Sequence, residues 1–472
     1  MSLVRAIAHN TAIQVAGKVI STLLGLATVA MMTRYLGPTG FGHYTTIIAF
    51  LQFFGIVVDL GLSLVVVQMT SEDPAREQSV ARNIFTLRLI SAAVILGLAP
   101  VAALWFPYPP LIKVGIALTS LSFFFISLNQ ILIGLFQRQL KMATVAVAEI
   151  LGRVVLVGGV ALVFIWDKGF LPIMGVIVIG SLVNLLVNTW RIRRYYHLGL
   201  AFDWSVWREA LQRSWPIAVS IVFNLLYFKA DTVILSLYHS AADVGIYGAT
   251  YKVLEVLTQL TYLFMGLILP IYTATWAQKN FDGFKDALQK AFDATALMAL
   301  PMVVGLFLVA SPIMVIVAGG DFAASGPLLR ILIFATAAIF FTNVFTYAIV
   351  AANLQKRMLW GFVAAAVVGL IGYFVFIPTY SYWGAAVMTL VVEVFVTFYA
   401  VAVIYRTTGF RPRLMVFAKS LAASLVMGFA VWVTLPVAPL VVAIVVGGVI
   451  YPLILHILGG YDRQLLKEIL SR

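Results

Sequence analysis

Twelve ionisable side chains interrupt long apolar runs in this 472-residue chain. Seven are bases (Lys18, Arg88, Arg153, Lys229, Lys252, Arg330 and Lys419) and five are acids (Asp59, Glu149, Asp231, Glu255 and Glu393). A charge near the centre of a hydrocarbon layer costs at least ~2.5–3.5 kcal/mol, so such groups pair, reach water or serve a function. The chemistry open to them needs no covalent step. Lysine and arginine attract phosphate oxygens, and a carboxylate takes up and releases a proton or a sodium ion.

Helical spacing sorts these groups by face. Asn10, Gln14, Lys18, Ser21, Gly25 and Thr28 recur every three or four residues, one polar stripe that turns toward protein or water. Lys18 on it is either a docking point for an anionic head group or a snorkelling anchor. Asn224 and Asp231 share a face with Ser220 and Tyr227. Lys229 lies about 200° from Asp231, so it faces a cavity only if Asp231 packs between helices. Tyr247, Tyr251, Glu255, Gln259 and Tyr262 form another stripe, with Lys252 at its edge and three residues before Glu255. Glu149 precedes Arg153 by four, the favourable order for a neutralising pair. Asp59 either pairs with a base or carries a coupling ion, and Glu393 has no local partner and must find one across the bundle. Arg88, Arg330 and Lys419 sit near run ends and read as anchors. The expected pocket is thus Lys18, Lys229, Lys252, Asn224, Tyr251, Gln259 and Arg153, with Asp59, Asp231, Glu255 and Glu393 as ion-coupling candidates. Neither a catalytic residue nor a metal site is expected.

The elements that hold these groups follow from composition. The chain is 62% hydrophobic and 10% charged, whereas soluble domains are about 25% charged. Runs of about 20 apolar residues suffice to cross a bilayer, and only helices satisfy their own backbone there. Fourteen spans are predicted: 12–36, 42–69, 84–105, 111–136, 143–165, 170–190, 215–238, 246–273, 292–317, 326–350, 358–378, 381–405, 415–435 and 438–458. The first is too long for a signal-peptide core and lacks a cleavage site, so it reads as a true span. Twenty-one loop bases fall on one side and three (Arg34, Lys113 and Lys168) on the other. Basic loops stay cytoplasmic, which places both termini inside. The net charge of +13 is therefore topological and does not indicate nucleic acid. Cysteine is absent, which excludes disulfides and thiol chemistry.

The chain also repeats itself. Gly42-His43-Tyr44 corresponds to Gly245-Ile246-Tyr247 at an offset of 203, which also superposes the first span on the seventh. "RQLKM" ending at Met142 resembles "LQKRM" ending at Met358, at an offset of 216. The expected fold is an all-α polytopic membrane protein of two parallel six-helix lobes, 1–200 and 201–406, plus a C-terminal helix pair at 407–472. Parallel repeats place a cavity between rocking halves. The Gly-x-Tyr segment is expected to be the turn that restarts the second helix of each lobe. The longest inner loop, with Trp204 and Trp207 among basic residues, is expected to lie on the membrane surface and to link the lobes.

Several segments in order resemble polysaccharide transporters of the multidrug/oligosaccharidyl-lipid/polysaccharide exporter superfamily. They are "TRYLGPTGFGHY" (33–44), "VVDLGL" (57–62), "GLFQRQLKMATVAVAEIL" (134–151) and "FKADTVILSLYHSAADVGIYGATYKVLE" (228–255). The resemblance is to Wzx-type O-antigen flippases, exopolysaccharide exporters and, more distantly, peptidoglycan-precursor flippases. It implies a monomeric, multi-pass protein of a bacterial or archaeal cytoplasmic membrane. It further implies transfer of an undecaprenyl-diphosphate-linked oligosaccharide to the outer leaflet, with no cofactor and with H+ or Na+ as the coupling ion. Other polysaccharide-assembly membrane proteins are the expected protein partners, and membrane lipids surround the chain. Twelve spans are commonest in that family, so the pair after Arg406 is a departure: either a longer branch of the family or a groove-forming pair like that of peptidoglycan-precursor flippases.

Two other functions stay open at this point. A small-cation drug exporter of the same superfamily needs unpaired carboxylates, whereas lysines accompany most acids here. A membrane glycan polymerase or glycosyltransferase needs a loop domain or convergent carboxylates and bases. The loops are short, the five histidines are scattered, and neither HExxH nor Asp-x-Asp occurs.

Overall fold

The computed structural model describes residues 3–73 and 75–460, with side chains throughout except those of 3–15, 216–217, 219–220 and 224–228. The described residues form helices and no strand: α1 (Leu3–Asp59), α2 (Leu62–Glu72), α3 (Glu77–Ala103), α4 (Pro110–Arg138), α5 (Met142–Ile165), α6 (Phe170–Ile192), α7 (Trp204–Tyr238), α8 (Ala241–Ala277), α9 (Phe281–Ala318), α10 (Ser325–Ala351), α11 (Gln355–Thr408), α12 (Met415–Thr434) and α13 (Leu440–Ile457). Helices α1 and α11 are each two arms end to end, bent where Gly37 (φ 63°) and Ser381 (φ 53°) leave helical backbone. The second arm of α1 breaks at Leu60 and Gly61 (φ 40° and 82°) before continuing as α2. With the arms separated, the described helices make fourteen crossings, as expected. The chain is a multi-pass membrane protein.

The chain divides into two compact units, Met1–Gly248 and Ala249–Arg472. The first holds α1 to α7 and the opening turns of α8. One of its cores gathers Val65, Ile84, Leu132 and Phe136 with Val206 and Trp207. Trp207 is therefore core, stacked edge-on against Phe202 (4.7 Å), while Trp204 is 62% exposed. The linker before it is strapped to α3: Gln78 donates to the His197 carbonyl (2.7 Å) and the Asp203 N–H donates to Asn83 (2.7 Å). The amphipathic stretch expected in the linker forms the first turns of α7, with Trp207 docked into protein and Trp204 facing outward. In the second unit, α10 packs on α9 and α11, and the α12–α13 pair packs on α9 through Val309, Met427, Val431 and Ala443.

The repeated Gly-x-Tyr segments are not the turns they were expected to be. The chain reverses at Gly37, and Pro38 opens the next arm, where its missing N–H costs nothing. Gly42 already lies inside that helix, as Gly245 lies inside α8. Their function is close packing. A Cβ on Gly42 would stand 1.7 Å from the Ala241 carbonyl oxygen, and one on Gly245 would stand 2.0 Å from that of Pro38. A Cβ on Gly248 would stand 2.4 Å from the Thr45 hydroxyl. The 203-residue offset maps Pro38 to Ala241, Gly42 to Gly245 and Thr45 to Gly248. Equivalent residues thus meet reciprocally, the mark of an isologous contact, here inside the first unit.

The later match shifts by three residues. After α4, Leu140 (φ 53°) turns with bonds Leu140 N–H to Gln137 O and Lys141 N–H to Phe136 O. After α10, Asn353 (φ 57°) repeats the pattern with Val350 and Ile349. The structural offset is 213, not 216, because backbone hydrogen bonding, not the resemblance of side chains, aligns the turns.

Candidate functional site

In the first unit α1 and α5 run side by side along a polar seam. Gly17 admits Ala146, since a Cβ on the glycine would stand 2.6 Å from the alanine's. Lys18 then reaches the Glu149 carboxylate (Nζ–Oε1 3.5 Å), and a Cβ on Gly25 would lie 3.8 Å from the Arg153 guanidinium. Glu149 thus answers Lys18, not Arg153 as the spacing suggested. Among the described residues no acid pairs with Arg153. The seam retains one positive charge beyond its acid, and Lys18 is 39% exposed. Ser21 and Thr28 of the predicted stripe are buried against protein, while the side chains of Asn10 and Gln14 lie outside the described residues.

Behind α5, Gly152 lets Asn184 of α6 approach closely: a Cβ on the glycine would stand 3.1 Å from the asparagine's. Asn188 donates to Asn129 (2.8 Å) and to Asn184 (3.1 Å), an amide network inside apolar helices. Asn129, Asn184 and Asn188 thus bond to one another between α4 and α6, behind α5.

Asp59 has a different setting. It terminates α1 at the break in the second span and makes an ion pair with Arg88, whose side chain is 0% exposed. Arg88 also donates to the Val58 carbonyl (2.6 Å), and Ser63 donates to Asp59 (3.2 Å). Arg88 is therefore not an anchor but the buried counter-charge that holds the broken helix to α3. Nothing local in the sequence marks it, because the pairing comes from helix packing.

Asp231 is fully buried and accepts hydrogen bonds from the Tyr247 hydroxyl and from Thr232. It packs between α7 and the start of α8, and Lys229, two residues before it, is half-buried. The Asn224 side chain lies outside the described residues. In the second unit Lys252 and Glu255 pair at 2.7 Å, 27% and 33% exposed, with Gln259 and Tyr262 continuing the same face of α8. Tyr251 is 5% exposed and is core. Glu393 on α11 is 2% exposed. The base expected to meet it does not: its carboxyl makes no ion pair among the described residues.

Two further features have no signal in the sequence. Tyr35, in the first quoted segment, donates to Asp167 (2.9 Å) and accepts from the Gly169 N–H (2.7 Å), tying the bend of α1 to the α5–α6 turn. In the second unit a groove of about 880 Å³ runs between α8, α9 and the start of α12. Phe264, Ile268, Ile271 and Leu297 line it, and Lys290 and Arg413 stand at its polar end with Asp286 and Asp293.

Residues 7–276 match the family described as polysaccharide biosynthesis protein, and residues 216–375 match the MatE family. The succinoglycan biosynthesis transport protein ExoT of Rhizobium meliloti (strain 1021) is 25% identical over 347 residues, 70% of this chain and 66% of its own length. A Shigella dysenteriae protein named for O-antigen transport is 22% identical over 273 residues, 56% of this chain and 66% of its own. The chain thus spans just under two thirds of the length of these relatives. Its fold is similar to that of lipid II flippase MurJ in an inward closed conformation, with a TM-score of 0.78 at 17% identity over 97% of this chain and 99% of that one.

Proposed function

The chain belongs to the polysaccharide biosynthesis protein family of the multidrug/oligosaccharidyl-lipid/polysaccharide exporter superfamily, and on that premise we propose that it flips lipid-linked oligosaccharides across the cytoplasmic membrane. It is a transporter and not an enzyme. The observation that carries the reading is the seam of α1 and α5, where Lys18 and Arg153 face a single acid, Glu149. A net positive charge held inside spanning helices suits a diphosphate. The Lys18–Glu149 pair is long and partly open, so a phosphate competes with the carboxylate and is released again. An apolar groove beside α12 suits part of a polyprenyl tail, whose burial contributes about 0.8 kcal/mol per CH₂.

The MatE match of residues 216–375 favours one second reading, export of small cations. Glu255 could serve such a cargo, but Lys252 already neutralises it.

The test is reconstitution with a fluorescent lipid-linked oligosaccharide and a leaflet-specific quencher. Transfer above that of empty liposomes is expected, reduced at least about tenfold in the Lys18→Ala, Arg153→Ala double variant; a loss of one charged contact of this kind costs about 1.5–3 kcal/mol. Wild-type transfer in that variant removes the seam from the mechanism. Ethidium efflux without glycolipid transfer supports the second reading instead.

A further inference from the structure

Between α6 and α7 the chain is held open as a strap. Four side chains of α3 bond to its backbone. Gln78 donates to the His197 carbonyl (2.7 Å) and Arg82 to that of Leu200 (3.1 Å). Thr86 accepts the Ala201 N–H (3.0 Å) and Asn83 the Asp203 N–H (2.7 Å). The polar backbone is thereby satisfied against α3, and the larger side chains are left outside. Leu200 and Phe202 are 70% and 72% exposed, and Trp204 follows them.

The first turns of α7 continue this outward face. Trp204, Arg208, Leu211 and Trp215, spaced by four, three and four, lie exposed along one side of the helix. Val206, Trp207, Ala210 and Ser214 are buried on the other. Three contacts fix the level of the stretch: Asp203 to Asn83, Glu209 to Arg76 (3.6 Å) and Arg213 to Glu72 (2.7 Å). All three partners lie between the predicted spans 42–69 and 84–105, just outside the apolar runs. The stretch therefore crosses the end of the first unit at the membrane surface and does not run down into the hydrocarbon. Aromatic rings at that level sit among lipid headgroups, not in bulk water.

The charge beside these rings is positive. Residues 190–215 hold five arginines and two acids. Asp203 caps α7 by accepting the Ser205 N–H (2.9 Å), and Glu209 pairs with Arg213 (2.6 Å) and Arg76. Arg193, Arg194 and Arg208 are exposed and make no ion pair among the described residues. Arg194 stands over the exposed Trp190 ring (5.8 Å).

We propose that this face of the first unit is a binding site for anionic phospholipid. Phe202, Trp204 and Trp215 enter the boundary between headgroups and acyl chains. Arg193, Arg194 and Arg208 hold headgroup phosphates by charge-assisted hydrogen bonds. The apolar side chains select a lipid over a free phosphate, and the uncompensated arginines select an anionic lipid over a zwitterionic one. The site needs nothing of the cargo proposed above.

Tryptophan quenching by brominated lipid tests the site in the full chain, reconstituted in phosphatidylcholine nanodiscs. Brominated phosphatidylglycerol should quench more than the same fraction of brominated phosphatidylcholine. That excess is expected to vanish with its reporters in the Trp204→Phe, Trp215→Phe double variant. It should also vanish, with both tryptophans retained, in the Arg193→Gln, Arg194→Gln, Arg208→Gln triple variant. Arg208→Gln alone should lower the preference for the anionic lipid about fivefold, the equivalent of about 1 kcal/mol for an arginine at a charged leaflet. Replacing the same three arginines by lysine keeps the charge and should keep most of the excess, which separates loss of charge from loss of fold. Equal quenching of the wild type by the two lipids would leave the face to a protein partner and overturn the proposal. An undiminished excess in the glutamine triple variant overturns it as well. Inorganic phosphate should displace no more lipid than chloride of the same ionic strength; stronger displacement by phosphate makes a free anion the occupant and sinks the lipid site.

Discussion

Asp59 and Glu393 are both carboxylates set within spanning helices, and the two units treat them in opposite ways. In the first unit Arg88 is buried against Asp59 and the adjacent Val58 carbonyl, so the charge is cancelled where the helix breaks. In the second unit Glu393 is 2% exposed and makes no ion pair among the described residues. A cancelled pair is a structural bolt: neither partner changes its charge without exposing the other. Burial alone does not make a bolt; the neighbour does.

The largest effect should come from breaking the bolt. Arg88→Ala leaves Asp59 uncompensated and is expected to cost about 3–5 kcal/mol, read as a loss of folded protein in thermal melts in detergent. Adding Asp59→Asn to that variant should restore much of the loss; if it does not, the ion pair is not what holds the break. Next comes Glu393→Gln, which removes an acid that has no ion pair among the described residues and should change stability by no more than about 1 kcal/mol. A melting loss as large as that of Arg88→Ala would contradict the comparison.

The smallest effect belongs to an exposed pair. Arg213 meets Glu72 at 2.7 Å with the acid 56% exposed, and holds its carboxyl below the usual carboxylate range. A depressed carboxyl contributes stability above its unfolded pKa and loses it as pH falls through the folded value, here below the ordinary carboxylate range. Arg213→Ala should therefore differ slightly from the wild type in melting temperature at neutral pH and converge with it in acid. Equal melting temperatures at neutral pH would leave the pair without stabilising effect, as many surface pairs are. On the same face Tyr196, whose phenol burial pushes up to about 12, stays protonated and keeps donating to Glu77 at any ordinary pH.

Much of this was legible from sequence because a bilayer leaves few options. Apolar length fixes the spans, and lipid forbids any backbone but a helix along them. The fourteen crossings and the duplication of Gly42 and Gly245 follow from patterns only a few residues wide. The purpose of those glycines did not. They read as turns, and packing makes them the contact at which the equivalents of two repeats meet.

The same division holds for the charges. Which ionisable residues enter the membrane is a local matter, countable along the chain, and so is the i, i+3 neutralisation of Glu255 by Lys252. Which base answers an acid on another helix is not, since α1 can meet α3 or α5 at many registers and rotations with the same hydropathy. Only the packed bundle assigned Arg88 to Asp59 and Lys18 to Glu149, and left Glu393 without an ion pair among the described residues. Partition into lipid acts residue by residue, whereas electrostatic pairing depends on distances of a few ångströms between segments far apart in the chain.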